Sequence, residues 1–246
     1  MSQGMIDAVK ACLKEEMRMD VISNNLANTS VPGHKKSRIS FQTALRAQST
    51  GAGNASAGNG TASPDLVRIE IDHTQGDVRS TGNELDLALH GEGFFKIMTP
   101  DGIRYTRKGN FALDAEGYLV TQHGERVMGE GGPILVSGNS VEVGSLGTVS
   151  SGGEEMGRLD LVSFEDPKKL TAAGRAVFAN PLGEPEGPLP LNSRVKQGYL
   201  EQPNVQVAEE MVSMIHCMRA FESYQKVIQI LDDVDQRAIN EVSRIR

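Results

Sequence analysis

Two long apolar repeats, one at each end of the chain, restrict its fold more than any other feature. Met5, Cys12, Met19 and Leu26 recur every seven residues, and Val9 and Ile22 fill the same face. Asp7, Lys10, Lys14, Glu15 and Arg18 lie mostly off that face. The pattern predicts one amphipathic helix of about 25 residues, roughly 37 Å long. It should stop near Asn28, because NTSVPG is dense in turn formers and Pro32 disfavours a helical conformation at Val31. At the other end Val207, Met211, Met214, Met218, Phe221, Ile228, Leu231, Ala238, Val242 and Ile245 step by three, four or seven. That predicts a second helix of about 40 residues, some 60 Å long. Such a helix is too long for a small β domain to cover, and a pattern of this length suggests a coiled coil or a helical assembly.

Between the helices the pattern becomes that of strands. LVRIEI alternates Val67, Ile69 and Ile71, and LDLAL, GFFKIMT, IRYTR, NFALD, YLVTQ, PILV, GTVSS and GRLDLVSF follow with Gly or Asp-Gly punctuation. Short runs at regular spacing predict an antiparallel barrel or sandwich. Glycine supplies 27 of 246 residues, above the usual share of about 7%, as turns and bulges require. Aromatic residues make up only 4% and Trp is absent, so several slim cores fit better than one large one. STGAGNASAGNGTASP, residues 49–64, has no apolar periodicity and is expected to be a flexible linker or an exposed extended arm. The chain thus divides into an N-terminal helix over 1–28, an extended or linker segment over 29–65, a β domain over 66–195 and a C-terminal helix over 196–246. The class is α+β.

Several functions find little support. A net charge of −7 argues against nucleic acid as the main partner. No run approaches the ~20 apolar residues of a membrane span, and MIDAVKACL, broken by Asp7 and Lys10, is not a signal-peptide core. HGEG at 90–93 is similar to an esterase oxyanion loop, but no Gly-x-Ser-x-Gly elbow accompanies it, so it reads as a strand turn. GEGGP at 129–133 lacks the Lys-Ser/Thr of a phosphate loop. The five His are scattered, which makes a metal site improbable, and no carboxylate pair stands out as acid and base. Cys12 and Cys217 both fall in apolar stripes, where a thiol packs as a small hydrophobe; a bridge between them is the sharper alternative. Met211, Met214 and Met218 form either an ordinary core face or one that adapts to non-identical neighbours.

Three stretches carry a family resemblance. SNNLAN, Ser23 to Asn28, followed by PGHK, Pro32 to Lys35, resembles the N-terminal motif of the rod and hook axial proteins of the bacterial flagellum; His34 replaces the usual aromatic and Val31 the usual Thr. LE at 200–201, then NVQVAEEMVSMI from Asn204 and RAFE from Arg219, resembles the family's C-terminal core. The central TGNELDLALHGEGFF and YTRKGNFALDAEGYLVTQHGERV are similar to rod subunits as well. Length, VMGEGGPI and the KVIQILDDVDQRAIN ending resemble most the proximal-rod branch (FlgF), with the distal-rod branch (FlgG) second.

The resemblance implies a structural subunit without catalysis or cofactor. The terminal helices are expected to pair in a coiled-coil-like inner core, with the central antiparallel β domain facing outward and subunits stacked helically around an export channel. The implied partners are other rod proteins, copies of the same chain and, during secretion, the export apparatus, with no nucleic acid and no membrane insertion. The implied location is the periplasmic rod, reached without a cleaved signal peptide. The residues expected to carry assembly contacts are Asn24, Asn25, Leu26, Asn28, Pro32, Gly33, Lys35, Leu200, Glu201, Asn204, Val207, Met211, Met214, Met218, Arg219 and Phe221. An extracytoplasmic ligand-binding β module is the alternative of another class, weakened by the shortage of aromatics that would form its platform.

Overall fold

A computed structural model describes residues 3–42, 66–138 and 140–244. The expected linker at 49–64 lies outside them. Helix α1 spans Gln3–Ala27 and helix α2 spans Val207–Arg244. The two pack together antiparallel: Gly4 lies beside Leu231, and at the opposite end Asn25 meets Glu210. On α2, Glu210, Met214, Cys217, Phe221, Tyr224, Ile228 and Leu231 are buried or half-buried and step alternately by four and three. On α1, Met5, Ala8, Cys12, Glu15, Met19, Ile22 and Leu26 do the same. A 3.5-residue spacing keeps one face of each helix turned to its partner along the whole contact.

The β domain begins with an antiparallel ribbon, β1 (Ser37–Gln42) paired with β2 (Leu66–Ile71), Ile39 opposite Ile69. After β3 (Val78–Ser80) and β4 (Leu87–His90) comes the centre of the domain, β5 (Phe94–Thr99). It pairs antiparallel with β6 (Gly102–Thr106) on one side and, along the other edge, with both β9 (Arg126–Gly129) and the strand at Leu161–Phe164. The hairpin of β7 (Phe111–Leu113) and β8 (Leu119–Thr121) extends the sheet beyond β9.

Because side chains alternate across a strand, β5 serves two cores. Phe95 and Ile97 enter one with Leu87, Leu89, Phe111 and Val127, while Phe94 enters a second with Tyr105, Phe164 and Phe178. The second is an aromatic cluster, with Phe94 edge-on to Phe178 at 5.7 Å and Tyr105 edge-on to Phe164 at 4.9 Å. The scarce aromatics are therefore concentrated in small cores.

Three strands fall wholly or partly outside the expected β domain. Residues 37–42 of the expected linker form β1, and the segment from 196 onward is not helical at first. Instead Arg194–Gln197 pairs with β4 and Tyr199–Glu201 pairs with β3 before α2 starts at Val207. These strands are three to six residues long, too short for alternation to register. They bring the N- and C-terminal signature sequences to the same end of the β domain.

Candidate assembly surface and the junction beneath it

The end of α1 and the start of α2 meet the β domain in a buried polar junction. Asn25, in the last turns of α1, holds the backbone of Ser37 twice: Nδ2 donates to its carbonyl at 2.9 Å and Oδ1 accepts from its N–H at 2.9 Å. Asn25 Nδ2 also donates to Glu210 Oε2 at 3.3 Å, and the other Glu210 oxygen pairs with Lys36. A carboxylate in the first turn of a helix is favoured by the helix dipole, so Glu210 stabilises the start of α2 while joining both helices to the chain entering β1. The helix exit is capped locally, with Asn28 Nδ2 donating to Asn24 O at 2.7 Å and Thr29 Oγ1 to Leu26 O at 2.8 Å.

The Pro-Gly turn delivers Lys35 to the centre of this junction. Gly33 has φ +69°, and a Cβ there would lie 2.5 Å from the backbone carbon of Arg107. Both the conformation and the close approach require glycine. Its N–H donates to Glu201 O at 2.8 Å. Lys35 Nζ then reaches Glu201 Oε1 at 2.6 Å and Thr74 O at 2.7 Å, and the two side chains are 1% and 0% exposed. Glu201 also accepts from Gly76 N at 3.0 Å, and its second oxygen lies 3.4 Å from Arg107 Nη1. Asn204 completes the link, its Oδ1 accepting from Lys36 N at 2.7 Å and its Nδ2 donating to Asp72 O at 2.8 Å.

Burial pushes the ionisation of Lys35 downward, and the neighbouring Glu201 carboxylate opposes that shift. Arg107 is lowered by burial and supported by Glu201 in the same way. Removing one partner of such a buried pair generally costs about 3–5 kcal/mol, because the other charge is left uncompensated.

The residues expected at assembly contacts therefore divide into two sets. Asn25, Gly33, Lys35, Leu200 and Glu201 are buried within this one chain, with Asn204 half-buried beside them. The polar side chains among them are hydrogen-bonded within the chain in this conformation. Leu26, Asn28 and Pro32 are half-buried at the edge of the junction, and Asn24 is exposed. The expected single stripe on α2 also splits. Met214 and Phe221 turn toward α1, whereas Val207, Met211, Met218 and Arg219 are exposed. The exposed apolar face continues through Ile215, Val227, Ile230 and Val234, and α1 carries its own in Ile6, Val9, Leu13 and Met17. Sequence reasoning missed Arg107, Lys36 and Glu210 as junction residues. Each lies inside a motif quoted for the resemblance or next to one, but only the fold shows what it touches.

Both thiols are free. Burial, then Glu15, pushes the Cys217 thiol upward, as expected of an unreactive cysteine. Among the described residues no cluster of three or more His, Cys, Asp or Glu could hold a metal, and no helix is long and apolar enough to cross a membrane.

Comparison with known proteins bears on the same segments. The family model described as flagella basal body rod protein matches residues 8–35, that of the flagellar hook protein FlgE/F/G D1 domain matches 88–151, and that of the flagellar basal body rod FlgEFG protein C-terminal region matches 196–241. The flagellar basal-body rod protein FlgG of Bacillus subtilis is 32% identical over 98% of this chain and 99% of its own length. FlgG of Buchnera aphidicola subsp. Acyrthosiphon pisum is 35% identical over 91% of this chain and 93% of its own. FlgF of Caulobacter vibrioides is 31% identical over 92% of each. Asn25, Gly33 and Lys35 of the junction fall within the first matched segment and Glu201, Asn204 and Glu210 within the last, while Arg107 and strands β5 to β9 fall within the middle one. With relatives of this similarity along nearly its whole length, the chain belongs to the flagellar basal-body rod family, as a structural protein and not an enzyme.

Proposed function

We propose that the chain is a distal-rod subunit of the FlgG type, one element of the drive shaft that surrounds the export channel. The observation that carries this reading is the run of FlgG proteins at 32–35% identity over at least nine-tenths of the chain, against 31% for FlgF. It favours this reading over the proximal-rod assignment suggested by the length, the VMGEGGPI run and the C-terminal ending. The exposed apolar faces of α1 and α2 support an assembling role, since a monomer has no use for two unpartnered stripes on long helices. In the rod these faces meet copies of the same chain and other rod proteins through heterologous contacts, which build open helical structures. The helices form the inner core, in coiled-coil fashion, and the β domain of residues 66–195 faces outward. The subunit reaches the periplasm unfolded through the export apparatus.

Gold-labelled antibody on isolated basal bodies tests the subtype. The label is expected along the half of the rod remote from the inner membrane. Label confined to the membrane-proximal end would restore the proximal reading.

A further inference from the structure

One short segment ties the ends of the chain to the β domain. Residues Asp72 to Gly76 connect β2 to β3 without regular structure, and the junction grips their backbone. The Asp72 N–H donates to Lys36 O and its carbonyl accepts from Asn204 Nδ2, both at 2.8 Å. Thr74 O accepts from Lys35 Nζ at 2.7 Å, and the Gly76 N–H donates to Glu201 Oε1 at 3.0 Å. A Cβ on Gly76 would lie 1.9 Å from Gln202 O, so this segment and the chain leading to α2 touch backbone to backbone.

On its other side the same segment enters the β domain through His73. That ring stands edge-on to Phe94 at 5.5 Å and to Phe178 at 5.2 Å, both members of the aromatic core. Its two nitrogens are buried without a hydrogen-bond partner. A neutral imidazole suits such a place and an imidazolium does not, because a buried charge without partners is costly. Burial opposes protonation most, joined by Lys35 and Arg107, while the Pro167 backbone and Asp72 favour it without prevailing. The other charges around the cavity beside the ring, Arg38, Glu70, Glu92 and Lys168, are two of each sign and add no net field. That cavity, about 630 Å³ in volume, gives a charged ring a way out to water.

We propose that the segment from Asp72 to Gly76 is an acid-released latch between the helix pair and the β domain. When His73 takes up a proton, its ring leaves the aromatic core and the segment moves with it. The bonds to Lys35, Glu201 and Asn204 are lost together, and the helix pair swings free while the β domain stays folded.

Hydrogen exchange of the full-length protein, read by mass spectrometry and divided by the intrinsic rate at each pH, tests the latch. His73 binds a proton with an ordinary 6.5 in the open chain and about 4 in the closed one, so opening should be about a hundredfold more frequent at pH 4 than at pH 7. Peptides carrying the amides of Gly33, Asp72, Gly76 and Gln202 should lose protection by that factor, while those of β5 and β6 keep theirs. His73→Gln, neutral at every pH, should reduce the change about tenfold or more. His34→Gln, which removes the other buried histidine near the junction, should leave it as in wild type. In the wild type, which needs no variant to fold, the His73 Cε1–H resonance should titrate where those amides open. Equal loss in wild type and His73→Gln, a loss that disappears with His34→Gln, or uniform loss through β5 and β6 would each overturn the proposal. So would a His73 resonance that titrates near 6.5 while the junction stays closed.

Discussion

At the scale of single residues, the junction makes its own predictions. Lys35→Met should leave Glu201 buried with Arg107, at 3.4 Å, as its one ion-pair partner, and lower stability by up to about 3–5 kcal/mol. Glu201→Gln should cost more than Lys35→Met, since it leaves Lys35 and Arg107 both buried without the carboxylate they share. Equilibrium denaturation of the purified protein measures both, and a smaller loss from Glu201→Gln would contradict the pairing. Acid acts at another point. Burial, reinforced by Lys35 and Arg107, brings His73 down to about 4 from an ordinary 6.5. A proton then binds the unfolded chain before the folded one, so this group's contribution is fully present above pH 6.5 and is lost as the pH falls to about 4. The wild-type midpoint should decline more steeply through that window than the His73→Gln midpoint. Parallel curves would show that His73 is not held neutral. His34 is buried with Nε2 unpartnered, and burial lowers its ionisation, so it packs as a neutral ring.

At the scale of elements, the 3.6-residue pattern gave both helices almost to their ends: α1 stops at Ala27, next to the expected Asn28, and α2 runs 38 residues against about 40 expected. The face of each residue was not legible. An apolar stripe wide enough for two partners looks the same as a wide core face until the partner helix is placed. Met214 and Met218 are four residues apart, yet one turns to α1 and the other to solvent. The register also settles a question about the cysteines. With Gly4 beside Leu231 and Asn25 beside Glu210, Cys12 stands level with about residue 223 of α2. That is some six residues, roughly 9 Å, along the axis from Cys217, beyond the ~7 Å that a disulfide tolerates. The two faces of α2 predict different failures. Met218→Asp should leave the folded monomer within about 0.5 kcal/mol of wild type, as an exposed substitution, but abolish incorporation into the rod. Phe221→Asp should also abolish incorporation, and in addition loosen α2 from α1 while the β domain stays folded. Far-ultraviolet dichroism of the monomers and motility of the complemented strains separate the two. Normal swimming with an exported Met218→Asp subunit would remove the exposed face from the assembly surface.

At the scale of the whole molecule, the α+β plan and its hairpin-like layout follow from the order of patterns along the chain. The closure of the hairpin does not. Lys35 and Glu201 are 166 positions apart, and no local rule links a Lys after a Pro-Gly turn to a Glu before a helix. Both were recognisable as members of a motif, which marks importance without saying for what. Tyr199–Glu201 on β3 and β1 beside β2 supply the missing geometry, carrying the two motifs into one interior. The signature residues thus fix the angle between the helix pair and the β domain, while the apolar faces left outside are free to bind neighbours. In the proposed rod, with the helices inside and the β domain outside, that rigidity would let each subunit transmit torque between the two.

The most direct test of this division is an electron cryo-microscopy map of the rod in isolated basal bodies, at a resolution that shows side chains. The account predicts Lys35 bound to Glu201 of the same subunit, and Val207, Met211 and Met218 packed against neighbouring subunits. A map in which Lys35 meets Glu201 of another subunit, or in which that face of α2 points into solvent, would contradict it.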